Sequence, residues 1–272
     1  MHATSFGCPI PTSCSFLNLS LWYEKATRKR YNGDTGRPVF TFMKNRKYWV
    51  PRLIPQILQP IICALAWLFF KIFAKIEFRG TEKVRALSSG AIFAANHVSE
   101  LDVPLLRIGL PFFGPLAPLY YVSRPKEFYT KSGWRKIFYG GLLFRLLGSY
   151  PAYSGHRDYA YSLQDFDSLL KAGRSVAIFP EGKRTVNGEI DFAHGGVAFL
   201  AHTYRKPVVP IAIHGLYKLS LRDLLLFKRR IVITYGDPIQ ASALVPQQHP
   251  TVKDFQAGSQ YLMARIAEML PR

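Results

Sequence analysis

Residues 91–102 read Ala-Ile-Phe-Ala-Ala-Asn-His-Val-Ser-Glu-Leu-Asp. The apolar half of this stretch predicts a buried strand, and the polar half predicts the loop in which that strand ends. A second stretch repeats the arrangement: after the apolar run 175–179, residues 179–185 read Phe-Pro-Glu-Gly-Lys-Arg-Thr. Open α/β sheets hold their ligands at the carboxyl ends of the strands. The two stretches therefore predict an α/β fold with a site at one edge of its sheet.

Short apolar runs alternate with helical patterns along the chain from residue 76 onward. The apolar runs predict strands at residues 76–78, 91–95, 119–123, 149–153, 176–179, 208–213 and 231–234. Apolar residues at helical spacing predict helices between and after them, such as those at residues 134–147, 159–171, 195–204 and 252–269. This alternation is typical of an α/β fold with a mostly parallel sheet that is flanked by helices on both faces.

The composition divides the chain into three regions. Residues 1–50 comprise a flexible leader and a region where cations alternate with aromatic side chains, a mixture that suits the polar–apolar boundary of a membrane. A solvated basic tail is the alternative interpretation of this region. Residues 51–75 form an amphipathic helical segment that we expect to associate with a membrane, and residues 76–272 form the α/β domain.

The helical segment is apolar but short for a membrane-spanning helix. Its uninterrupted apolar core, residues 61–70, falls well below the roughly 20 residues that a span needs. One helical face carries its polar side chains and two others, Gln56, Gln59, Cys63, Trp67, Lys71 and Lys75. Pro55 and Pro60 are expected to kink or divide the helix. We expect a helix, or a broken pair, embedded in one leaflet rather than a span, and a buried helix of a soluble domain is the alternative.

The net charge indicates an acidic partner. Lys and Arg number 36 against 17 Asp and Glu, which gives a formal net charge of +19 and a pI near 10.0. Nucleic acid is a common partner of so basic a chain, but the sequence contains no nucleic-acid-binding motif, and its cations are spread beside long apolar stretches. We therefore expect anionic membrane lipids, and no nucleic acid, among the partners.

The cysteines give a weaker indication of the compartment. Cys8, Cys14 and Cys63 are odd in number and include no Cys-x-x-Cys pair, which argues against a disulfide framework or a zinc cage. Neither a metal nor a cofactor is expected. Cysteines without a disulfide pattern favour the reducing cytosolic side. We expect a membrane-associated protein whose active site faces the cytoplasm.

His97 and Asp102 supply a candidate general base. They are five positions apart, so on an ideal helix they would point in different directions, and a contact between them requires the turn between strand and helix. There Asp102 can fix the imidazole tautomer and leave the other ring nitrogen to accept a proton. The sequence has no Gly-x-Ser-x-Gly nucleophile elbow, which favours direct attack by a substrate hydroxyl. Alternatively, residues 99–102 form a capping box in which Asp102 is only a helix cap.

The turn at residues 179–185 supplies groups for an anionic ligand. Arg184 offers a planar fork that suits a phosphate, and Lys183 adds a second positive charge. Gly182 permits a turn that brings the backbone close to a ligand. Glu181 repels a phosphate, so we expect it to bind a hydroxyl or to hold a cation in place. The alternative is a surface turn with solvated charges.

Four blocks of the sequence resemble, in order and separation, those of the glycerolipid acyltransferase family. The first two are the segments 96–102 and 179–185 described above. Residues 207–213, Pro-Val-Val-Pro-Ile-Ala-Ile, are similar to the Val-Pro strand of that family. Residues 233–239, Ile-Thr-Tyr-Gly-Asp-Pro-Ile, are similar to its late Gly-x-Pro-Ile segment. The resemblance runs from about residue 76 to residue 272.

The resemblance implies an acyltransferase like the 1-acyl-glycerol-3-phosphate O-acyltransferases. Such an enzyme moves a fatty acyl group from acyl-CoA or acyl-carrier protein, as co-substrate, to the free hydroxyl of 1-acyl-glycerol-3-phosphate and forms phosphatidic acid. It implies His97 as the general base and Asp102 as its partner. Substrate binding would fall to the following residues: Asn96, Arg157, Glu181, Gly182, Lys183 and Arg184.

One block departs from the family pattern and keeps other acceptors open. After the segment 148–153 the family carries an arginine that helps to bind phosphate, whereas this chain has Ser154 there and its arginine three residues later, at Arg157. Either Arg157 reaches the site from a longer loop or another cation replaces it. The alternatives are therefore the same chemistry on glycerol-3-phosphate, another lysophospholipid or an amino-acid lipid. A non-catalytic membrane lipid-binding protein and a hydrolase are alternatives from other classes.

Overall fold

The computed structural model describes residues 50–125, 142–153 and 158–271. The predicted leader and basic region, the first part of the predicted helix 134–147, and Arg157 lie outside the described residues.

In the described part of the chain, seven strands form one sheet, and each lies within two residues of its predicted bounds. They are β1 (Lys75–Arg79), β2 (Ile92–Ala95), β3 (Leu119–Ser123), β4 (Ser149–Pro151), β5 (Ser175–Ile178), β6 (Val208–His214) and β7 (Arg230–Tyr235). Their order across the sheet is β1-β7-β6-β2-β5-β3-β4. Strands β2 to β6 run in one direction, whereas β7 is antiparallel to β6 and carries β1 parallel to itself. The mostly parallel sheet is confirmed.

This topology brings the two predicted site segments together. Strands β2 and β5 are parallel neighbours, so their carboxyl ends lie side by side at one edge of the sheet. Residues 96–102 follow β2 directly, and residues 179–185 follow β5 directly. The pairing of Ala94 with Ile178 sets the register that leaves both loops at the same height.

Helices cover both faces of the sheet. They are α1 (Val50–Phe73), α2 (Thr81–Arg85), α3 (Asp102–Ile108), α4 (Leu142–Leu146), α5 (Tyr159–Ser162), α6 (Asp167–Lys171), α7 (Gly196–Tyr204), α8 (Leu221–Leu225), α9 (Ala241–Leu244) and α10 (Val252–Glu268). The prediction of one helix over 159–171 is wrong, because α5, a 3₁₀ turn (Gln164–Phe166) and α6 replace it. Asp158 caps α5, and Leu163 leaves the helical region at φ −116° and ψ 19°.

Adjacent residues of the central strand β2 belong to two different hydrophobic cores. Phe93 points to one face of the sheet and packs in the core that includes Leu106 of α3. Ile92 points to the other face and packs in the core that includes Leu200 of α7 and Leu262 of α10. All five side chains are fully buried. Burial on both faces explains why this strand appears in the sequence as a continuous apolar run.

Helix α1 is fixed to the sheet by a buried amide. The helix is continuous through Pro55 and Pro60, so the two prolines do not divide it into a broken pair. Gln59 is buried, and its Nε2 donates to the carbonyls of Leu119 (2.6 Å) and Leu147 (2.8 Å). Its Oε1 accepts from the backbone N–H of Leu119 (3.0 Å). One side chain therefore binds α1 to the loops around β3 and β4.

Buried Arg107 of α3 extends this contact. Its Nε donates to Oε1 of Gln59 (3.4 Å). Its Nη1 and Nη2 donate to the carbonyls of Pro111 and Phe112, each at 2.9 Å. A buried guanidinium is tolerated only when its donors are satisfied. Arg107 thus fixes both α1 and the chain that follows α3.

The opposite face of α1 is apolar and exposed. The exposed large side chains of this helix are Ile57, Ile61, Leu65, Trp67, Leu68, Phe69, Ile72 and Phe73. By length and composition, the 20 residues Ile54–Phe73 are the one candidate membrane span in the described part of the chain, with a mean hydropathy of 1.7. The side that carries Gln59, Cys63 and Phe70 packs on the body of the protein, since these side chains are buried, whereas Trp67 and Lys71 of the predicted polar face are exposed. The exposed apolar side chains are left available for a membrane.

Candidate active site

The side chains of His97 and Asp102 meet in the turn between β2 and α3. Nδ1 of His97 lies 2.7 Å from Oδ2 of Asp102. Asp102 is fully buried, whereas the side chain of His97 is 19% exposed. A carboxylate on Nδ1 favours the tautomer that carries its proton there, which leaves the lone pair of Nε2 for a substrate proton. The pair therefore has the geometry of a general base and its orienting acid.

Asp102 also organises the loop between strand and helix. Its Oδ2 accepts from the backbone N–H of Val98 (2.7 Å) and of Ser99 (2.9 Å). Helix α3 begins at Asp102, and its N-cap residue, Leu101, makes no side-chain cap hydrogen bond. The capping box that was the alternative prediction is formed in part, since Oδ2 of Asp102 accepts from the N–H of Ser99 while Oγ of Ser99 accepts from the N–H of Leu101 (3.2 Å). The contact with His97 shows that Asp102 is more than a helix cap. Asp102 also folds the loop around the imidazole.

Two backbone hydrogen bonds and one ring contact join this loop to the segment after β5. The N–H of His97 donates to Oε1 of Glu181 (2.9 Å), and the N–H of Thr185 donates to the carbonyl of His97 (2.8 Å). The imidazole also stacks on the ring of Phe179, with centroids 4.1 Å apart and planes 19° apart. His97 is consequently held from both ends of the second segment.

Glu181 lies beneath the site. It is buried, and its two carboxyl oxygens accept from two backbone N–H groups, those of His97 and of Asp191 (3.0 Å). Burial raises the pKa of this carboxyl, and the two backbone hydrogen bonds act against that rise. In this structure both carboxyl oxygens serve the protein, so the side chain fixes the position of the catalytic loop.

Gly182 lies next to His194, and its backbone carbonyl binds Arg124. Its φ is +66°, in the left-handed region that favours glycine, and a Cβ there would lie 3.3 Å from Cδ2 of His194. Its carbonyl accepts from Nε (2.9 Å) and Nη2 (2.7 Å) of Arg124. A side chain at this position would crowd His194, so the turn favours glycine for its backbone conformation and for its close neighbour.

The two cations after Gly182 are engaged in surface ion pairs. Nζ of Lys183 lies 2.7 Å from Oδ2 of Asp191, and Nη1 of Arg184 lies 2.9 Å from Oε1 of Glu100. The hydrogen bond from Lys183 holds the pKa of Asp191 below its usual value. About half of each cationic side chain is exposed. Both cations are therefore accessible from the solvent side of the site.

The side chain of Asn96 binds the backbone of β6. It is buried, its Nδ2 donates to the carbonyl of Ile213 (3.0 Å), and its Oδ1 accepts from the N–H of Ile213 (2.8 Å). The side chain thus joins the end of β2 to β6. Arg157 lies outside the described residues, and its substrate-binding role stays a prediction.

Three residues of the site were not among the predicted ones. Arg124 follows β3 at the same sheet edge, so the strand-end signal that indicates His97 applies to it as well. Glu100 and Asp191 carry no such signal, because they are recognised only by their cationic partners in three dimensions. In the described part of the chain, no group of three His, Cys, Asp or Glu side chains is placed to hold a metal ion.

The fold and the site define an α/β protein with a histidine–aspartate base beside a cationic loop. A family model described as Acyltransferase matches residues 75–214. This match covers slightly more than half of the chain and contains the whole site, from His97 to Asp191. The chain belongs to the Acyltransferase family.

Curated relatives carry the names of lipid acyltransferases. A chloroplastic 1-acyl-sn-glycerol-3-phosphate acyltransferase, LPAT1 of Arabidopsis thaliana, is 30% identical over 149 residues, which are 54% of this chain and 38% of the relative. The lyso-ornithine lipid O-acyltransferase of Pseudomonas aeruginosa is 29% identical over 148 residues, which are 54% of this chain and 52% of the relative. The chain thus spans about half, or less, of the length of these two relatives.

A solved structure shares the fold. It is the 1-acyl-sn-glycerophosphate acyltransferase PlsC of Thermotoga maritima, at a TM-score of 0.52 and 16% sequence identity. The likeness covers 94% of this chain and 91% of that one. The likeness confirms the architecture predicted from the sequence.

Proposed function

We propose that this chain transfers a fatty acyl group from a thioester to the free hydroxyl of 1-acyl-glycerol-3-phosphate and forms phosphatidic acid. The single observation that carries the proposal is the contact of His97 with buried Asp102, joined by backbone hydrogen bonds to the cationic loop after β5. The names of the glycerophosphate acyltransferase relatives support the acceptor. The base and the phosphate-binding charges of such a reaction lie on adjacent strand ends.

The proposed reaction needs no nucleophile from the protein. The acceptor hydroxyl gives its proton to Nε2 of His97 while its oxygen attacks the thioester carbonyl carbon. The carbon–sulfur bond then breaks, and the leaving thiolate takes the proton from the imidazolium. The products are an oxygen ester and a free thiol. Asp102 stabilises the imidazolium that forms between the two steps, and it stays ionised throughout.

The cations around Gly182 are suited to the acceptor phosphate. Arg184 and Lys183 each hold one exposed carboxylate, and such pairs contribute only about 0–1 kcal/mol. A phosphate with two negative charges therefore displaces either carboxylate at little energetic expense, because hydrogen bonds to charged groups contribute about 1.5–3 kcal/mol. Arg124, on the other side of Gly182, supplies a third cation and makes up for the displaced arginine of the second block.

A lyso-amino-acid lipid is the second candidate acceptor. One relative is named a lyso-ornithine lipid O-acyltransferase. Two carboxylates lie next to the cations and can pair with an ammonium group: Glu100 of the loop after β2, and Asp191 of the segment after β5. An acceptor that carries both charges could exchange partners with both pairs. Its reaction chemistry at His97 would be identical.

In this proposal, the protein acts at a membrane surface, and its active site faces the cytoplasm. The apolar exposed face of α1 supports embedding in one leaflet, and the net charge of +19 supports attraction to anionic lipids. Replacing two lipid-facing residues, Ile61→Gln and Leu65→Gln, should reduce co-sedimentation with anionic vesicles. The matched control is Val252→Gln, at an exposed apolar position on α10. Equal binding of both variants would remove α1 as the anchor.

A direct transfer assay tests the function. The purified full chain is given labelled acyl-CoA and, separately, lysophosphatidate, glycerol-3-phosphate, lyso-ornithine lipid or a neutral lyso-lipid, and the products are separated by thin-layer chromatography. An acyl-carrier-protein donor is run in parallel. Phosphatidate as the main product supports the proposal, and acylated ornithine lipid as the main product favours the second candidate. Free fatty acid alone would identify a hydrolase, and no product with either donor would contradict catalysis.

A further inference from the structure

A groove crosses the outer face of the sheet next to the catalytic edge. Its volume is about 730 Å³, and it lies over the face of the sheet on which His214 of β6 and Val232 of β7 are paired in register. Asn96 and Val98, the two neighbours of His97 in the chain, line its end at the catalytic edge. Leu270, just after α10, lines its side. The cationic loop 182–184 does not line this groove, so the groove is separate from the proposed acceptor-phosphate position.

Four cations lie on or beside this face of the sheet. Arg79, Arg229 and Arg230 line the groove, and Lys75 is paired in register with Arg230 on the same face. Arg79 lies four residues along β1 from Lys75, which corresponds to about 13 Å of extended chain. In register, Arg79 is level with Thr234 of β7, and Thr234 is level with Ala212 of β6, so Arg79 lies across the sheet from the end of β2. Three strand spacings of about 4.8 Å separate β1 from β2.

The carboxylates nearby balance only part of this charge. Glu77 pairs with both Arg79 (2.8 Å) and Arg230, and the hydrogen bond from Arg79 holds its pKa below the usual value. Glu189 also lines the groove and accepts from the side chain of Asn187. Four cations thus face two carboxylates. The side chains of Arg79 and Arg230 are 51% and 65% exposed, so their guanidinium groups remain accessible to an anion.

We propose that this groove binds the phosphopantetheine arm of the acyl donor, with the donor phosphates between Arg230 and Arg79. The inference rests on the acyl transfer proposed above. A phosphopantetheine thioester is a long, thin, mostly uncharged arm with a reactive sulfur at one end and phosphate at the other. The groove matches this order across the strands, since one end adjoins His97 at the end of β2, the apolar side chains of Val98, Val232 and Leu270 line it, and Arg230 and Arg79 lie on β7 and β1 at the other side. The acceptor and the donor then approach His97 from different sides.

Binding of free CoA, measured by titration calorimetry on the detergent-solubilised full chain, tests the site without requiring turnover. Arg79→Gln and Arg230→Gln should each weaken CoA binding about three- to tenfold, as expected for loss of an exposed charge contact to phosphate. Pantetheine, which lacks phosphate, should bind all variants alike. The matched control is Arg265→Gln on α10, where the arginine is 52% exposed and likewise paired with a carboxylate, Glu268. The control should bind CoA as the native chain does.

The possible outcomes distinguish a failure of the proposed donor site from a failure of the proposed function. In the transfer assay, the two groove variants should raise the KM for acyl-CoA and leave kcat and the acceptor KM unchanged. A raised acceptor KM instead, or CoA binding equal in all variants, overturns the donor site. CoA binding that depends on Arg79 and Arg230 without any acyl transfer would sustain the site and contradict the proposed function. If only a holo-carrier protein binds, and the same two variants weaken it, the phosphopantetheine of the carrier is the occupant. No binding of either overturns the site.

Discussion

The loop after β2 and the loop after β5 meet at one sheet edge, yet they are held in opposite ways. The first is built around a fully buried carboxylate, Asp102, whose Oδ2 lies within 2.9 Å of two backbone N–H groups and the imidazole of His97. The second carries Lys183 and Arg184 on its surface, each paired with one half-exposed or partly exposed carboxylate. The first loop is built around a buried charge, whereas the second presents its two cations at the surface and keeps only Glu181 buried.

This contrast separates two tasks. The buried network keeps the base in one orientation before any substrate arrives, which is the arrangement that proton transfer favours. The surface pairs can exchange a carboxylate for a ligand phosphate, which is the arrangement that binding and release favour. Breaking the buried network, which includes Glu181 of the second loop, should therefore change kcat, and breaking the surface pairs should change KM.

The largest effect is expected at the buried loop. His97→Ala removes the base and should lower kcat by about 10²- to 10⁴-fold, the usual contribution of general-base catalysis. Asp102→Asn should cause a loss in the same range, because it allows the wrong tautomer. Initial rates at saturating donor and acceptor measure both variants. Vesicle binding and the thermal unfolding midpoint of His97→Ala should match the native protein, and activity retained in that variant would remove His97 as the base.

A smaller loss is expected for Glu181→Gln. An amide can accept from only one of the two backbone N–H groups that Glu181 binds, so the other loses its partner at a cost of about 1–3 kcal/mol. Displacement of the His97 backbone should then lower kcat about 10- to 100-fold, with little change in either KM. Steady-state kinetics separates this result from a role in acceptor binding, which would raise the acceptor KM instead.

Substitution of a surface cation in the second loop should change the binding of the acceptor. Arg184→Ala removes one phosphate contact and should raise the acceptor KM about tenfold while kcat stays near the native value. Kinetics with varied lysophosphatidate at saturating donor measures this. A rise confined to the donor KM would reassign Arg184 to the donor side.

Removal of the carboxylate partner of Arg184 should lower the acceptor KM, and this change should be smaller than the rise caused by Arg184→Ala. Glu100→Gln removes the carboxylate that Arg184 contacts at 2.9 Å. Because an exposed pair contributes about 0–1 kcal/mol, the acceptor KM should fall by a factor of about two to five. A rise in KM would indicate that Glu100 holds Arg184 in its binding orientation rather than competing with the phosphate.

The smallest effect expected is on stability as a function of pH. Burial raises the folded-state pKa of Glu181 above its ordinary value of 4.5, so the folded protein takes up this proton more readily than the unfolded chain. The resulting stability is fully present below about pH 4.5 and is lost as the pH rises through the folded pKa. The difference in unfolding free energy between the native protein and Glu181→Gln should therefore grow on acidification. Urea titrations at several pH values measure it, and a difference that shrinks would mean that the two backbone hydrogen bonds outweigh burial.

The sequence predicts the strands and the contact of His97 with Asp102 well because both depend on local patterns. An apolar run such as 91–95 and the polar residues after it are adjacent in the chain, so their boundary is visible without tertiary information. The antiparallel placement of β7 leaves no comparable local sign. The break at Leu163 was missed because the apolar spacing of 159–171 continues through it, whereas the burial of Phe166 requires the chain to turn there.

The site is predictable in part for the same reason. His97 and Asp102 meet within one turn, so their separation in the sequence limits their geometry. Glu181 lies 84 residues from the backbone N–H that it accepts from, and only the pairing of β2 with β5 brings them together. A carboxylate in a cationic turn resembles a ligand-binding group in sequence, although here both of its oxygens face the protein backbone.

Helix α1 has little freedom to swing, because Gln59 makes four hydrogen bonds to the body of the sheet and to Arg107. If α1 is embedded in one leaflet as proposed, the depth of its exposed face would set the height of His97 above the lipid headgroups. The distance between the exposed face of α1 and His97 is thus a fixed dimension of the molecule. Bending or thinning of the bilayer would then tilt the end of the sheet that carries His97. In the proposed enzyme, the shape of the membrane would therefore change the distance between His97 and the lipid headgroups.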